Sequence, residues 1–170
     1  MSTEKGAAEA IAIARIAGIP IDVFGERYHE RYARSRIDPV SAERGVIVHP
    51  AVSQRELWKA MGRAAVVLCP AMWDEPFGMV AAEAQACGTP VVAFRRGALD
   101  EVIVDGVTGF LVTPDDLPAA AAAVGGSPRL SRDACRRHAE THLDIELSFD
   151  VHERLYEQLV RAPAGARTDG

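Results

Sequence analysis

"AVVLCPAMWDEPFGMVAAEAQACGTPVVAF", residues 65–94, joins two uninterrupted apolar runs through a polar loop and an alanine-rich segment. Runs such as "AVVLC" and "PVVAF" carry no polar alternation, which suits strands buried on both faces of a parallel sheet. The segment between them predicts a helix that begins near Gly78. Within "MVAAEAQACG" a single formal charge, Glu83, stands among apolar residues, and Glu75 precedes it in the loop.

The same alternation of strand and helix continues on either side. Upstream, "KGAAEAIAIARIAG" (residues 5–18) predicts a helix closed by Gly18. "IPIDVFG" and "VIVHP" predict strands. The charged stretch "ERYHERYARSRIDPVSAERG" (residues 26–45) reads as loop with one helical turn. "SQRELWKAMGRA" predicts a helix capped by Ser53. Downstream, "GFLVTP" is a strand, "DDLPAAAAAV" a helix whose start is capped by Asp115 and Asp116, and two further helices follow. The expected fold class is α/β: a Rossmann-like open parallel sheet of about five strands with helices on both faces. Residues 1–161 form one domain, and residues 162–170, "APAGARTDG", read as a disordered tail.

A chain of 170 residues, 48% hydrophobic, is long enough for one domain with a core of its own. Its net charge of −5 and lack of a basic stripe argue against a nucleic-acid or anionic-membrane surface. Arg132, Arg136 and Arg137 read as a solvated helix face. No apolar run is long enough to span a membrane, and the N-terminus lacks a signal peptide's hydrophobic stretch. Cys69, Cys87 and Cys135 form no CxxC pair and read as buried free thiols in a reducing compartment, which makes the cytoplasm the expected location. His138 and His142, in "HAETH", stand four residues apart without a third ligand and read as helix surface rather than a metal site.

Ligands of such sheets bind beyond the carboxyl ends of the strands. The helix start at Gly78, Met79 and Val80 presents free backbone N–H groups with the helix dipole behind them, a place for an anion. Gly78 lets a diphosphate approach the backbone, Pro76 holds Glu75 extended, and Phe77 is expected to anchor the loop by packing. Glu83 lies about 7.5 Å further along the helix axis. A lone carboxylate there needs partners, and two adjacent hydroxyls of a ribose suit it. Acid, phosphate cradle, acid is the polarity pattern of a sugar nucleotide.

"EPFGMVAAE" resembles the E-x7-E signature of retaining GT-B glycosyltransferases, family 4 in particular. The similarity runs on through "EAQACGTPVVAFRRGALDEVIVDGVTGFLVTPDD" and covers most of the chain. The resemblance implies that Glu75, the one candidate catalytic residue, contacts and orients the donor sugar. It implies that Phe77, Gly78, Met79 and Val80 hold sugar and phosphate groups, and that Glu83 binds ribose. Lys5, followed by Gly6, matches a lysine that contacts the diphosphate, and Val52 matches a neighbour of the nucleobase. The implied donor is a UDP- or GDP-sugar, used without a metal or other cofactor; no Asp-x-Asp sequence occurs. Members of that family place an acceptor-binding domain and a strand ending in Gly-Arg before the lysine. They also carry Gly at the position of Pro50, and Gly-Gly-x-Pro-Glu where "GALDE" (residues 97–101) stands.

The expected function is therefore the donor-binding half of a retaining glycosyltransferase, with the N-terminal acceptor domain outside this chain and little activity from the chain alone. The alternatives are a non-catalytic nucleotide-sugar-binding module or subunit, and a nucleotide-sugar epimerase on the same architecture. The last helix, with Phe149, Leu155, Tyr156, Leu159 and Val160 at helical spacing, is expected to offer an apolar face for an oligomer contact.

Overall fold

The computed structural model describes residues 1–161. The expectation for residues 162–170 falls outside the described residues. Five strands are present: β1 (Ile21–Phe24), β2 (Val46–His49), β3 (Val67–Cys69), β4 (Val91–Phe94) and β5 (Gly109–Val112). Every pairing is parallel, as the apolar runs imply. The pairing falls into two ladders, β1–β2 and β3–β4–β5.

Helix α1 (Ala7–Ala17) lies across both ladders. Its Ile11 packs with Val23 of β1, and its Ile13 with Val92 and Phe94 of β4. It ends on Gly18, whose left-handed φ of 68° supplies the predicted C-cap.

All four residues of β4 are buried, and the strand's period of two divides them between two cores. Val91 and Ala93 face the layer that contains α4 (Met79–Ala86) and α5 (Leu99–Val102). Val92 and Phe94 face α1 and α6 (Leu117–Gly126). Burying the Phe94 ring alone contributes about 2 kcal/mol. The alanines on α1 and α6 let these two helices approach each other over the sheet. The α/β expectation of parallel strands with a helical layer on each face therefore holds, but the five strands pair as two separate ladders rather than one continuous sheet.

Local signals placed several elements correctly. Ser53 caps α3 (Gln54–Arg63) in a reciprocal box: its hydroxyl accepts from the Glu56 N–H, and the Glu56 carboxylate accepts from the Ser53 N–H at 3.0 Å. Asp116 caps α6 through the Ala119 N–H at 2.9 Å. Asp115 does not share that role. It takes a left-handed φ of 67° and pairs instead with Arg96 at 2.9 Å.

Three readings change. Within residues 26–45, α2 (Glu30–Tyr32) continues as a π-helical turn, Ala33–Ile37. Its Tyr32 and Ile37 are buried against Ile11 and Val23, so two apolar residues dock a segment whose charges suggested a loop. The charges pair locally: Arg27 bridges Glu30 and Asp38, and Arg34 bonds Glu30.

Secondly, the arginines of α7 (Arg132–His142) are not a purely solvated face. Arg132 donates to the carbonyls of Gly62 and Ala64 and to the Thr89 hydroxyl, and Arg136 donates to the Ala86 carbonyl. They satisfy carbonyls that the ends of α3 and α4 leave without intrahelical partners.

Thirdly, His138 is half-buried and hydrogen-bonds the Val102 carbonyl, and burial lowers its pKa. Among the described residues no cluster of three or more His, Cys, Asp or Glu is arranged to hold a metal ion.

Helix α8 (Ile145–Arg161) buries none of its residues. Phe149, Leu155, Tyr156, Leu159 and Val160 are all exposed, so the apolar face expected there is present and open. No helix among the described residues is long and apolar enough to cross a membrane.

Candidate functional site

The site begins where β3 ends. Gly6, with φ 66°, closes the turn that carries Lys5 and leads into α1. A Cβ on Gly6 would lie 1.9 Å from the Pro70 carbonyl oxygen, so only glycine lets this turn abut the end of β3. The Met72 N–H donates to the Glu4 carbonyl at 2.8 Å and fastens the N-terminal turn to the loop that carries Glu75. Lys5 and Glu75 meet as a result, with Nζ 2.9 Å from Oε2 and 3.2 Å from Oε1.

The backbone of Glu75 is held from the other side. Its carbonyl accepts the Ala98 N–H at 2.7 Å, and Gly97 packs directly on it. A Cβ on Gly97 would stand 2.3 Å from the Glu75 carbonyl oxygen and 2.5 Å from its nitrogen. The Glu75 side chain is only 13% exposed, against 55% for Lys5. Such a carboxylate needs charged or N–H donors around it. It has two: the Lys5 ammonium and the Trp73 indole, whose Nε1–H donates to Oε2 at 2.9 Å. The same ammonium sits 5.0 Å from the centroid of the Trp73 ring.

Gly78 follows three residues on with φ 91° and starts α4 without any side-chain cap. Leu99 fills the space a Cβ would need there, 2.7 Å away. Met79 and Val80 are exposed at the first turn, where the N–H groups have no intrahelical acceptor. Phe77 is 43% exposed, which corrects the expectation that it anchors the loop by packing. The loop is anchored instead through its backbone, by Gly97, Ala98 and Glu4.

Glu83 is half-buried and not alone: Gln54 Nε2 donates to its Oε1 at 3.0 Å. Gln54 opens α3, and Val52 lies two residues before it, exposed in the loop after β2. The fold thus brings Lys5 to Glu75 directly, sets the start of α4 next along the chain, and joins Glu83 to the loop of Val52 through Gln54.

Trp73 and Gln54 do not stand out in the sequence: Trp73 has no motif of its own, and Gln54 reads as an ordinary first-turn residue. Gly97 stands out only as part of the departure from the family pattern at residues 97–101.

The three cysteines are free thiols; Cys135 is buried, but Cys69 and Cys87, expected to be buried as well, are half-buried. Cys69, at the end of β3, has its thiol pushed up to about 12 by burial, with the nearby Glu75 charge adding to the effect.

Residues 2–125 match the family model described as "Glycosyl transferases group 1". The chain is 35% identical over 128 residues to the D-inositol 3-phosphate glycosyltransferase of Mycobacterium marinum, a match covering 72% of this chain and 27% of that protein. It is 52% identical over 69 residues to the enzyme of the same name from Kribbella flavida, covering 39% of this chain and 16% of that one.

Among solved structures, the sucrose-phosphate synthase of Thermosynechococcus elongatus superposes with a TM-score of 0.80 at 26% identity, covering 95% of this chain and 44% of its own. Anabaena HepE, solved in complex with UDP-glucose, gives a TM-score of 0.73 at 23% identity, covering 95% of this chain and 47% of its own. The chain therefore spans under half the length of these relatives. With a family match running from before Lys5 to beyond Glu83, the chain belongs to the group 1 glycosyltransferases.

Proposed function

We propose that residues 1–161 form the donor-binding half of a retaining glycosyltransferase that uses a UDP- or GDP-sugar. The observation that carries this reading is the meeting of Lys5 and Glu75 beside the uncapped start of α4, inside the matched family segment. Glu75 orients the sugar. The N–H groups at Gly78, Met79 and Val80 and the Lys5 ammonium hold the diphosphate. An ammonium has three N–H bonds, so Lys5 serves the acid and a phosphate oxygen together. As the sugar leaves, negative charge builds on the diphosphate, and these same donors stabilise it. Phe77 borders the sugar, Glu83 takes the ribose hydroxyls, and Val52 lies beside the base.

Calorimetry with UDP, UDP-glucose and a GDP-sugar tests the reading. Glu83→Ala is expected to weaken every ribonucleotide by about tenfold or more, the scale of lost hydrogen bonds to a charged acceptor. Unchanged affinity in that variant would remove Glu83 from the site.

The acceptor half is proposed to be supplied by polypeptide outside residues 1–170, in keeping with coverage of 44% and 47% of the solved chains. The 170-residue chain alone is then expected to bind donor without transferring sugar. Product analysis that finds robust transfer by the purified chain would sink this part of the proposal. The open face of α8 is the surface proposed to meet either that missing half or a second copy.

A further inference from the structure

The two oxygens of Glu75 are not equivalent. Oε2 accepts from two donors, the Lys5 ammonium at 2.9 Å and the Trp73 indole at 2.9 Å. Oε1 has the longer contact to Lys5 alone, 3.2 Å. A carboxylate oxygen has two lone-pair directions, so Oε2 is filled and Oε1 keeps one free. Trp73 is 39% exposed, so its ring stands at the rim of the site while its N–H turns toward an acid that is largely buried. The indole is rigid and has one donor, which makes it a directional lock on the carboxylate. Lys5, a flexible point charge with three donors, neutralises the acid without fixing its rotation.

We propose that Trp73 is a positioning residue: its indole N–H holds Oε2 of Glu75 and thereby reserves Oε1 for a hydroxyl of the donor sugar. This deepens, and rests on, the donor reading given above. It makes two demands. The indole bond exists whether or not a nucleotide is present, and its loss harms recognition of the sugar without harming recognition of the nucleotide.

Two measurements test it on the full 170-residue chain. With ¹⁵N labelling, Trp58 and Trp73 give separate indole N–H signals, and Trp73→Phe identifies the second. Glu75→Ala is expected to move the Trp73 signal upfield and leave Trp58 in place. Calorimetry then compares UDP-glucose with UDP. Trp73→Phe keeps a ring for packing and for the Lys5 ammonium but lacks the N–H. It is expected to reduce the preference for UDP-glucose over UDP by about tenfold, with UDP affinity unchanged.

An indole signal indifferent to Glu75→Ala would overturn the proposal, as would a Trp73→Phe chain that keeps the wild-type preference. An equal loss for UDP and UDP-glucose would also overturn it, since that marks general disruption. A wild-type chain that binds none of UDP, UDP-glucose and a GDP-sugar would overturn the donor reading, and the positioning role with it. The indole signal would still report separately whether the bond exists.

Discussion

Gly6→Ala is expected to lower the melting temperature of the chain by about 10 °C, measured by calorimetry or circular dichroism. The added Cβ would stand 1.9 Å from the Pro70 carbonyl oxygen, a backbone atom at the end of β3 that no rotamer change can move aside. The left-handed φ of 66° adds a second cost, about 1–2 kcal/mol for any residue with a Cβ. Overpacking against backbone adds about 1–3 kcal/mol, for a total of about 3 kcal/mol. For a domain of this size each kcal/mol lowers the melting point by about 2–4 °C. Gly18→Ala is the matched control. Its φ is also left-handed, 68°, but no atom lies within 4 Å of the added Cβ, so only the conformational cost applies and the drop should be a few degrees. Equal shifts for the two variants would mean that α1 does not abut the end of β3.

Gly97→Ala is expected to remove discrimination between a nucleotide sugar and its nucleotide. The new Cβ would overlap the Glu75 carbonyl oxygen at 2.3 Å and nitrogen at 2.5 Å, so the loop carrying the acid must shift. The Ala98 N–H to Glu75 carbonyl bond, now 2.7 Å, lengthens with it. A displaced carboxylate loses its hydrogen bond to the sugar hydroxyl, and a hydrogen bond to a charged group is worth about 1.5–3 kcal/mol. Affinity for UDP-glucose should therefore fall at least about tenfold more than affinity for UDP, as read by calorimetry. Stability should fall as well, since the φ of 55° penalises alanine. Equal affinities in Gly97→Ala and wild type would show that the 97–98 turn does not set the position of Glu75.

Much of the fold was legible in one dimension because its signals are local. "AVVLC" and "PVVAF" lack polar alternation, and both strands pair in parallel within a covered sheet. Gly18, Ser53 and Asp116 announced helix ends through the orphan groups that every helix end exposes. Tyr32 and Ile37 do not show as core residues in the sequence because their charged neighbours dilute the apolar pattern over residues 26–45. Their burial depends on Ile11 and Val23, which lie in other elements. The role of Asp115 is hidden for a similar reason. From sequence it is one of two acids before a helix, and only the fold shows Arg96 beside it.

For the candidate site, the spacing of Glu75, Gly78 and Glu83 was readable because strand, loop and helix follow one another along the chain. What held each acid was not readable. Lys5 reaches Glu75 across 70 positions, and Gln54 reaches Glu83 across 29. No periodicity links residues so far apart.

Local sequence alone carries the α/β class, the strands, the starts of α3 and α6, and a polar constellation at the end of an apolar strand. Each of these depends on the dihedral preferences and burial period of a few neighbouring residues. The tertiary structure alone decided that Lys5 neutralises Glu75, that Trp73 shares that carboxylate, and that Gly97 supports its backbone. Those contacts exist because α1 abuts β3 and the 97–98 turn closes on the loop. Such approaches are set by the packing of whole elements, where a single Cβ at Gly6 or Gly97 would be too much.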